Sequence, residues 1–291
     1  MSVAGFIPCP LCKGTAREVI FTKKGFDLVR CGSCNLAYVG KPPPPKELQK
    51  LYSFEAGYQK DAANSHSSEV KFHTKAAQLS YAALSRHRSR GKLLDVGCSA
   101  GFFLKEAHAH GWETYGIEYS PDTAAVAAKH PGLHIQIGTL EAAHYEPKSF
   151  DVVTLWDVVE HVPDPLHTMH DVHRVLKDDG LVAISTPNID GLFPQLSYRV
   201  AKRLDYWPHP EPPHHLMQFS GQTLGLLLAR AGFEIVATAT RCLPLSFSFD
   251  LKHLLRRSPK LWLYTAAFLP AAIIGPWLGA GDWLFVFAKK K

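Results

Sequence analysis

The sequence predicts an α/β protein, a wound seven-stranded sheet preceded by a small metal-organised module. Three observations carry that prediction. From Leu93 onward, apolar runs of strand length alternate with helical segments. A glycine-rich turn joins the first of those runs to the helix that follows it. Four of the six cysteines fall in two Cys-x-x-Cys pairs near the start of the chain. The length of 291 residues suits one ordinary core plus an appendage, at roughly 100–200 residues per domain. With 46% hydrophobic and 20% charged residues, a largely disordered chain is excluded.

The first module spans residues 1–45. Cys9-Pro-Leu-Cys12 and Cys31-Gly-Ser-Cys34 are separated by 18 residues, the spacing of a four-thiolate zinc site. A segment of about 40 residues buries too little apolar surface to fold alone. Structural zinc, worth roughly 10–16 kcal/mol in small zinc peptides, supplies the deficit. Four thiolates leave no open coordination position, which argues against a catalytic ion. A redox Cys-x-x-Cys is the other reading, although neither pair adjoins a helix start that would lower a thiol pKa. Glu18 to Val29 reads as strand, giving a zinc-ribbon-like unit.

Residues 46–90 form a link. Four prolines between Lys41 and Lys46 make a stiff spacer, and Glu47 to Arg90 reads as mostly helical with a polar break around Asn64 to Ser68. Its tyrosines and Phe72 could roof a substrate pocket or simply pack a helix core.

Residues 91–291 carry the sheet. The expected strands are Leu93 to Val96, Thr114 to Glu118, His134 to Ile137, Asp151 to Trp156, Leu181 to Ser185, Glu234 to Thr238 and Trp283 to Ala288. Ligands of such sheets bind outside the carboxyl ends of the strands. There the first strand runs into Asp95-Val-Gly97-Cys-Ser-Ala-Gly101, with a helix expected from Phe102 to His110. This is neither Gly-x-Gly-x-x-Gly nor a turn followed by a phosphate-binding lysine, so a pyrophosphate cradle is disfavoured. Asp95 at the turn favours a ligand bearing an amine or a positive charge. Glu118 ends the next strand 23 residues later, where an acid meets ribose hydroxyls in nucleotide folds. The implied ligand is adenosine without phosphates.

Leu93 to Leu104 (LLDVGCSAGFFL), Ile117-Glu118, Gly138 to Glu141, Phe150 to Pro165 (FDVVTLWDVVEHVPDP), Leu176 to Asn188 (LKDDGLVAISTPN) and Ala231-Gly-Phe233 together resemble the successive motifs of class I S-adenosylmethionine-dependent methyltransferases. The resemblance covers roughly residues 91–241 and implies a seven-stranded Rossmann-like sheet. It also implies that Asp95, Gly97 and Gly101 shape the methionine end of the cofactor site, that Glu118 holds the ribose and that Tyr119 and Leu140 flank the adenine. Trp156 would close the pocket beside the sulfonium. Ser99 departs from the pattern, since these enzymes often have glycine there.

Methyl transfer to a neutral nucleophile needs alignment and a proton acceptor. Asp157, Glu160 and His161 share one face if a helix begins at Asp157. They could bind Mg²⁺, or His161 could act alone as base. The set resembles the Glu-x-x-Glu-His of ubiquinone-biosynthesis O-methyltransferases, with Asp157 in place of the first glutamate. A second cluster, His209-Pro-Glu211-Pro-Pro-His214-His215, offers His214 and His215 as further bases on a loop between the fifth strand and a helix from Ser220 to Ala231.

The expected function is therefore methyl transfer from S-adenosylmethionine, at oxygen, to a small-molecule or lipid-linked acceptor. RNA methylation is the alternative, because zinc modules and a net charge of +6 also serve RNA binding, yet no concentrated basic stripe is evident. A non-catalytic S-adenosylmethionine-binding protein is a third reading. The uncharged run Leu261 to Gly281 lies in an apolar excursion at 242–281. Its two prolines and its place between strands favour a membrane-surface contact through 251–281, or a buried hairpin, over a span. Without a basic and apolar leader in the first ten residues, the expectation is a cytoplasmic enzyme, peripheral at most on the inner face of a membrane.

Overall fold

The computed structural model describes residues 5–53, 64, 67–204, 207, 209–242 and 259–291. In the small module, β1 (Arg17–Lys23) and β2 (Phe26–Cys31) form an antiparallel hairpin. Its two-residue turn needs left-handed backbone, which Lys24 and Gly25 adopt at φ 52° and 79°. Strand β3 (Ala37–Val39) extends the sheet. The helical link is two helices, α1 (Pro45–Leu51) and α2 (Ser68–Leu84). The second starts at the expected polar break, where the Ser67 side chain accepts the Val70 N–H at 3.1 Å.

All seven expected strands form. They are β4 (Lys92–Val96), β5 (Glu113–Glu118), β6 (Leu133–Ile137), β7 (Phe150–Trp156), β8 (Leu176–Pro187), β10 (Phe233–Arg241) and β11 (Trp283–Lys290). Their spatial order is β6-β5-β4-β7-β8-β11-β10, with β11 antiparallel to both neighbours and the first five mutually parallel. Parallel strands are covered on both faces, hence the unbroken burial from Phe150 to Leu155 in β7. The covering helices include α3 (Phe102–Ala109), α4 (Pro121–Ala127), α5 (Pro165–Val175), α6 (Leu192–Leu204) and α7 (Gly221–Arg230). Chain order reverses between β4 and β7, which opens a crevice at their carboxyl ends.

The remaining strand, β9 (Met217–Gln218), belongs to the other sheet. It pairs with β3, Tyr38 opposite Met217 and Ala37 opposite Gln218, so the order of the small sheet is β1-β2-β3-β9. The modules also share one core, in which Cys9, Leu11, Val29 and Tyr38 are buried with Leu224, Leu227 and Phe233.

One expectation needs revision. No helix starts at Asp157. Residues 157–164 are turns, with the Asp157 backbone at φ 57°, and α5 begins only after Asp164 caps it by accepting the His167 N–H at 3.0 Å. Pro163 supplies no N–H, and the short polar Asp164 is the better cap. The apolar excursion, within its described residues, divides into a helix and a turn. Helix α8 (Pro259–Ile274) contains Pro270 and gives way to a 3₁₀ turn, Gly275–Leu278. It buries Tyr264, Ala271 and Ala272 against Phe193 of α6 and leaves Ile273, Ile274, Trp277 and Leu278 exposed. Among the described residues no helix is long and apolar enough to cross a membrane. The basic shoulder at 251–257 lies outside the described residues.

Candidate functional site

At the end of β4 the chain turns through Gly97, Ser99 and Gly101, all left-handed at φ 73°, 53° and 81°. The turn is pinned by Ile117, whose carbonyl accepts N–H groups from Gly97 at 2.8 Å and Cys98 at 2.9 Å. A Cβ on Gly97 would stand 2.6 Å from Val158, so only glycine fits there. Ser99, the departure from the family pattern, keeps the same turn because its N–H donates to Glu118 Oε2 at 2.8 Å, which offsets the backbone strain. Glu118 Oε1 accepts the Ser120 N–H, also at 2.8 Å. Each carboxylate oxygen keeps a lone pair for a further donor.

Asp95 accepts the Thr154 hydroxyl at 2.6 Å across the β4–β7 junction. It is 2% exposed and Glu118 4%, and neither is ion-paired among the described residues. Burial pushes the Asp95 carboxyl up to about 7, against the Thr154 hydrogen bond and aided by the Glu118 charge. Burial raises Glu118 too, opposed by its backbone donors. Two desolvated acids at one strand-end crevice make a site suited to a cationic ligand. Leu140 is buried, in a turn tied to Glu118 by Gly138 N–H at 2.9 Å from the Glu118 carbonyl, whereas Tyr119 is partly exposed. Trp156 packs edge-on against Phe103 at 5.3 Å, and its buried Nε1 has no partner among the described residues.

Beyond Trp156 the expected trio divides. Asp157 turns toward β8 and β11: it accepts the Ser185 hydroxyl at 2.5 Å and Trp283 Nε1–H at 2.7 Å. Glu160 is buried, with Oε2 accepting the Thr186 hydroxyl at 2.9 Å and Oε1 lacking a partner among the described residues. His161 instead joins the histidine loop, its ring 4.8 Å from that of His215. The group whose ligand atoms converge within 4.8 Å is Glu160, His161 and His215, so His215 stands where sequence reasoning put Asp157.

His161 Nδ1 lies 2.8 Å from the His214 carbonyl oxygen. A carbonyl only accepts, so this contact favours the proton on Nδ1, and the Tyr52 hydroxyl 3.1 Å from the same nitrogen then acts as a second acceptor. Burial pushes the imidazole down to about 4, with only the His214 hydrogen bond acting the other way. The ring is therefore neutral at pH 7, and Nε2 carries no proton. Burial likewise lowers His214 and His215, and the buried Nδ1 of His215 has no partner among the described residues.

Tyr52, just past α1, is the main residue that motif reading did not single out. Its ring centre is 6.1 Å from those of Tyr119 and His161 and 6.2 Å from that of His214, so it bridges the strand-end crevice and the histidines. No local pattern marks it, because its role comes from the link folding back over the sheet. Thr154, Ser185 and Thr186, which orient the acids, were hidden as ordinary strand residues.

The four cysteines of the small module meet as their spacing predicts. Sγ of Cys9 and Cys34 are 3.5 Å apart, those of Cys12 and Cys31 are 3.4 Å apart, and all four lie within 4.8 Å of one another. Left-handed Lys13 and Asn35 close the two knuckles, donating to the carbonyls of Cys9 at 2.8 Å and Cys31 at 3.0 Å. The donor set fits a tetrahedral zinc ion.

Known proteins resemble parts of this chain. The ubiquinone biosynthesis O-methyltransferase of Pseudomonas syringae pv. tomato is 37% identical over 103 residues, 33% of this chain and 44% of that protein. That of Azoarcus is 39% identical over the same shares. The chain thus spans less than half the length of these curated relatives. In fold, it resembles the S-adenosylmethionine-dependent methyltransferase of Thermotoga maritima, with a TM-score of 0.55 at 18% identity over 84% of this chain and 98% of that one. A Mesorhizobium loti enzyme of the same description gives 0.50 at 20% identity over 75% and 100%. The family model for the methyltransferase domain Methyltransf_23 matches residues 70–238, from α2 through β10 and so across the crevice and the histidine loop. With more than half of its length inside that match, the chain belongs to this family of S-adenosylmethionine-dependent methyltransferases.

Proposed function

We propose that the enzyme methylates an oxygen of a small-molecule or lipid-linked acceptor, with His161 as the proton acceptor. The observation that carries this reading is the 2.8 Å contact of His161 Nδ1 with the His214 carbonyl oxygen, which favours the tautomer that leaves Nε2 as a base. Asp95, Gly97 and Gly101 would hold the methionine end of S-adenosylmethionine, Glu118 its ribose, and Tyr119 and Leu140 its adenine, with Trp156 on the sulfonium side. The cofactor supplies a methyl group already activated on sulfur. The sulfonium S–CH3 bond would break as the acceptor oxygen takes the methyl, S-adenosylhomocysteine would leave, and His161 Nε2 would take the proton of the acceptor hydroxyl, with the Tyr52 hydroxyl 3.1 Å from His161 Nδ1. His214 fixes the base through its carbonyl, and His215 flanks it. Zinc on Cys9, Cys12, Cys31 and Cys34 is structural.

The test is transfer of isotopically labelled methyl from S-adenosylmethionine to a panel of phenols and extracted lipids. His161→Gln lowers kcat by roughly 10²–10⁴-fold and leaves cofactor affinity unchanged. Label found on nitrogen or carbon, or full activity in the variant, would overturn the reading. The exposed Ile273, Ile274, Trp277 and Leu278 support a lipid-borne acceptor reached from a membrane surface.

A second reading is favoured by the convergence of Glu160, His161 and His215, a carboxylate with two imidazoles that suits a divalent cation. Activity lost to a mild chelator that spares the thiolate zinc, and restored by Mg²⁺ or Mn²⁺, would select it.

The cofactor site also has a pH signature. A cationic cofactor favours ionised Asp95, whose pKa without ligand is about 7. Binding therefore releases a proton when Asp95 starts protonated, and affinity at pH 6 is weaker than at pH 8 by about tenfold. Calorimetric titration in two buffers of different ionisation enthalpy measures both. The sign for folding is opposite: the folded pKa lies above the ordinary aspartate value of 3.8, so Asp95 makes the ligand-free protein less stable as pH rises from about 4 through 7.

A further inference from the structure

The loop that carries the acceptor-side histidines is poorly equipped to hold itself. Trp207-Pro-His209-Pro-Glu211-Pro-Pro-His214-His215 has four prolines in nine residues, so four of its backbone groups cannot donate. Its carbonyls need donors from elsewhere, and the small module supplies them. Lys23, the last residue of β1, reaches the loop from the hairpin: Nζ donates to the Trp207 carbonyl at 2.9 Å and the Pro210 carbonyl at 2.7 Å. One ammonium thus clamps two carbonyls three residues apart, by charge-assisted hydrogen bonds.

Past the histidines the connection passes through backbone alone. The Leu216 carbonyl accepts the Val39 N–H of β3 at 2.8 Å, and the Leu216 N–H donates to the Glu160 carbonyl at 2.8 Å. Met217 N–H donates to the same Glu160 carbonyl at 3.1 Å, while Met217 pairs with Tyr38. A single residue therefore stands between a strand of the cysteine module and the backbone of Glu160. On the other side, Arg230 of α7 donates to the Leu11 carbonyl, inside the first cysteine knuckle, at 2.7 Å. The crevice around Asp95 and Glu118 is built from β4, β5 and β7 and receives none of these bonds.

We propose that the four-cysteine module positions the acceptor-side histidines and that Lys23 is its positioning residue. The proposal rests on the reading of His161 and His215 as acceptor-side groups. A purely structural ribbon would need no half-buried lysine at this place. Burial opposes the Lys23 charge, with Glu211 supporting it, and the position is informative because an uncharged side chain would sit there at lower cost. The module sets where His214 presents its carbonyl, hence which nitrogen of His161 carries the proton. It does so without touching the cofactor.

The experiment is hydrogen exchange with mass spectrometry on the zinc-loaded full chain, comparing wild type with Lys23→Met, Lys23→Gln and Lys23→Arg, alongside calorimetric titration with S-adenosylmethionine. In Lys23→Met the amides of His214 to Met217 and of Val159 to His161 exchange faster, by about tenfold. Those of Leu93 to Gly101 and Tyr115 to Ser120 stay as in wild type, cofactor affinity is unchanged, and Lys23→Arg restores loop protection. If Lys23→Met does not fold, the comparison of Lys23→Gln with Lys23→Arg decides in the same way. Unaltered loop protection, or faster exchange spread equally over the strand-end crevice, would overturn the proposal. In a labelled-methyl assay the Met variant loses kcat more than it gains KM. Should His161→Gln leave methyl transfer intact while the exchange pattern holds, the base assignment fails and the positioning role survives.

Discussion

Glu118→Ala weakens S-adenosylmethionine binding by at least about a hundredfold, the loss expected when two hydrogen bonds from ribose to a charged acceptor disappear. The carboxylate does two things at once. Its oxygens accept the N–H groups of Ser99 and Ser120 at 2.8 Å, and each keeps one lone-pair direction toward the crevice. Alanine removes the ribose acceptor and also strands two buried donors, one of them on the left-handed residue of the glycine turn. Glu118→Gln keeps an acceptor for one donor but sets an NH₂ against the other, so it falls between alanine and wild type. Titration with S-adenosylmethionine and S-adenosylhomocysteine separates the contributions. The homocysteine product lacks the sulfonium charge, so an Asp95→Asn variant loses more affinity for the substrate than for the product, while Glu118→Ala loses equally for both. Unchanged affinity in the folded Glu118→Ala protein would move the nucleoside elsewhere.

What the sequence disclosed follows from how local each signal was. The strands β4 to β8 are apolar on both faces, and the cysteine pairs carry their spacing in the chain itself, so both were readable. Asp95, the glycine turn and Glu118 were readable because one strand, one turn and the next strand place them. The proposed acceptor side was legible only in pieces: Glu160, His161, His214 and His215 were named, but not their convergence or Tyr52, since it is assembled from three distant segments. Tyr52 comes from the link, Glu160 and His161 from the turn after β7, and His214 and His215 from the proline loop. Spacing at i, i+3 and i+4 suggested that Asp157 would accompany Glu160 and His161, but that inference needs helical backbone. Asp157 has left-handed backbone instead and spends its carboxylate on Ser185 and Trp283. Strand β9 is two residues long and has no periodicity to detect. Its pairing with β3 is a tertiary fact, and with it came the route from the cysteine module to the histidines.

Cys31→Ser should be the most destabilising single change outside the sheet, and its consequences should be uneven. Removing one of four thiolates weakens an ion whose binding energy is folding energy for so small a unit, costing at least about 3 kcal/mol. For a chain of this size that corresponds to a fall in Tm of roughly 6–12 °C. Differential scanning calorimetry with zinc quantified in the same sample measures it, one zinc per wild-type chain being the expected content. The loss does not stop at residue 45, because Cys9, Leu11, Val29 and Tyr38 are packed in one core with Leu224 and Leu227 of α7. Freed from the knuckles, β3 no longer holds β9 in register, and the proline loop loses the partners that its own backbone cannot replace. The glycine turn, Asp95 and Glu118 sit instead on parallel strands whose backbone pairing is with one another, although the module shares their core. Below its lowered Tm, the variant therefore binds S-adenosylmethionine with near-normal affinity yet fails to transfer methyl. If cofactor binding is lost in step with zinc, the two sheets fold as one cooperative unit, and the division between a cofactor half and a module-held acceptor half must be given up.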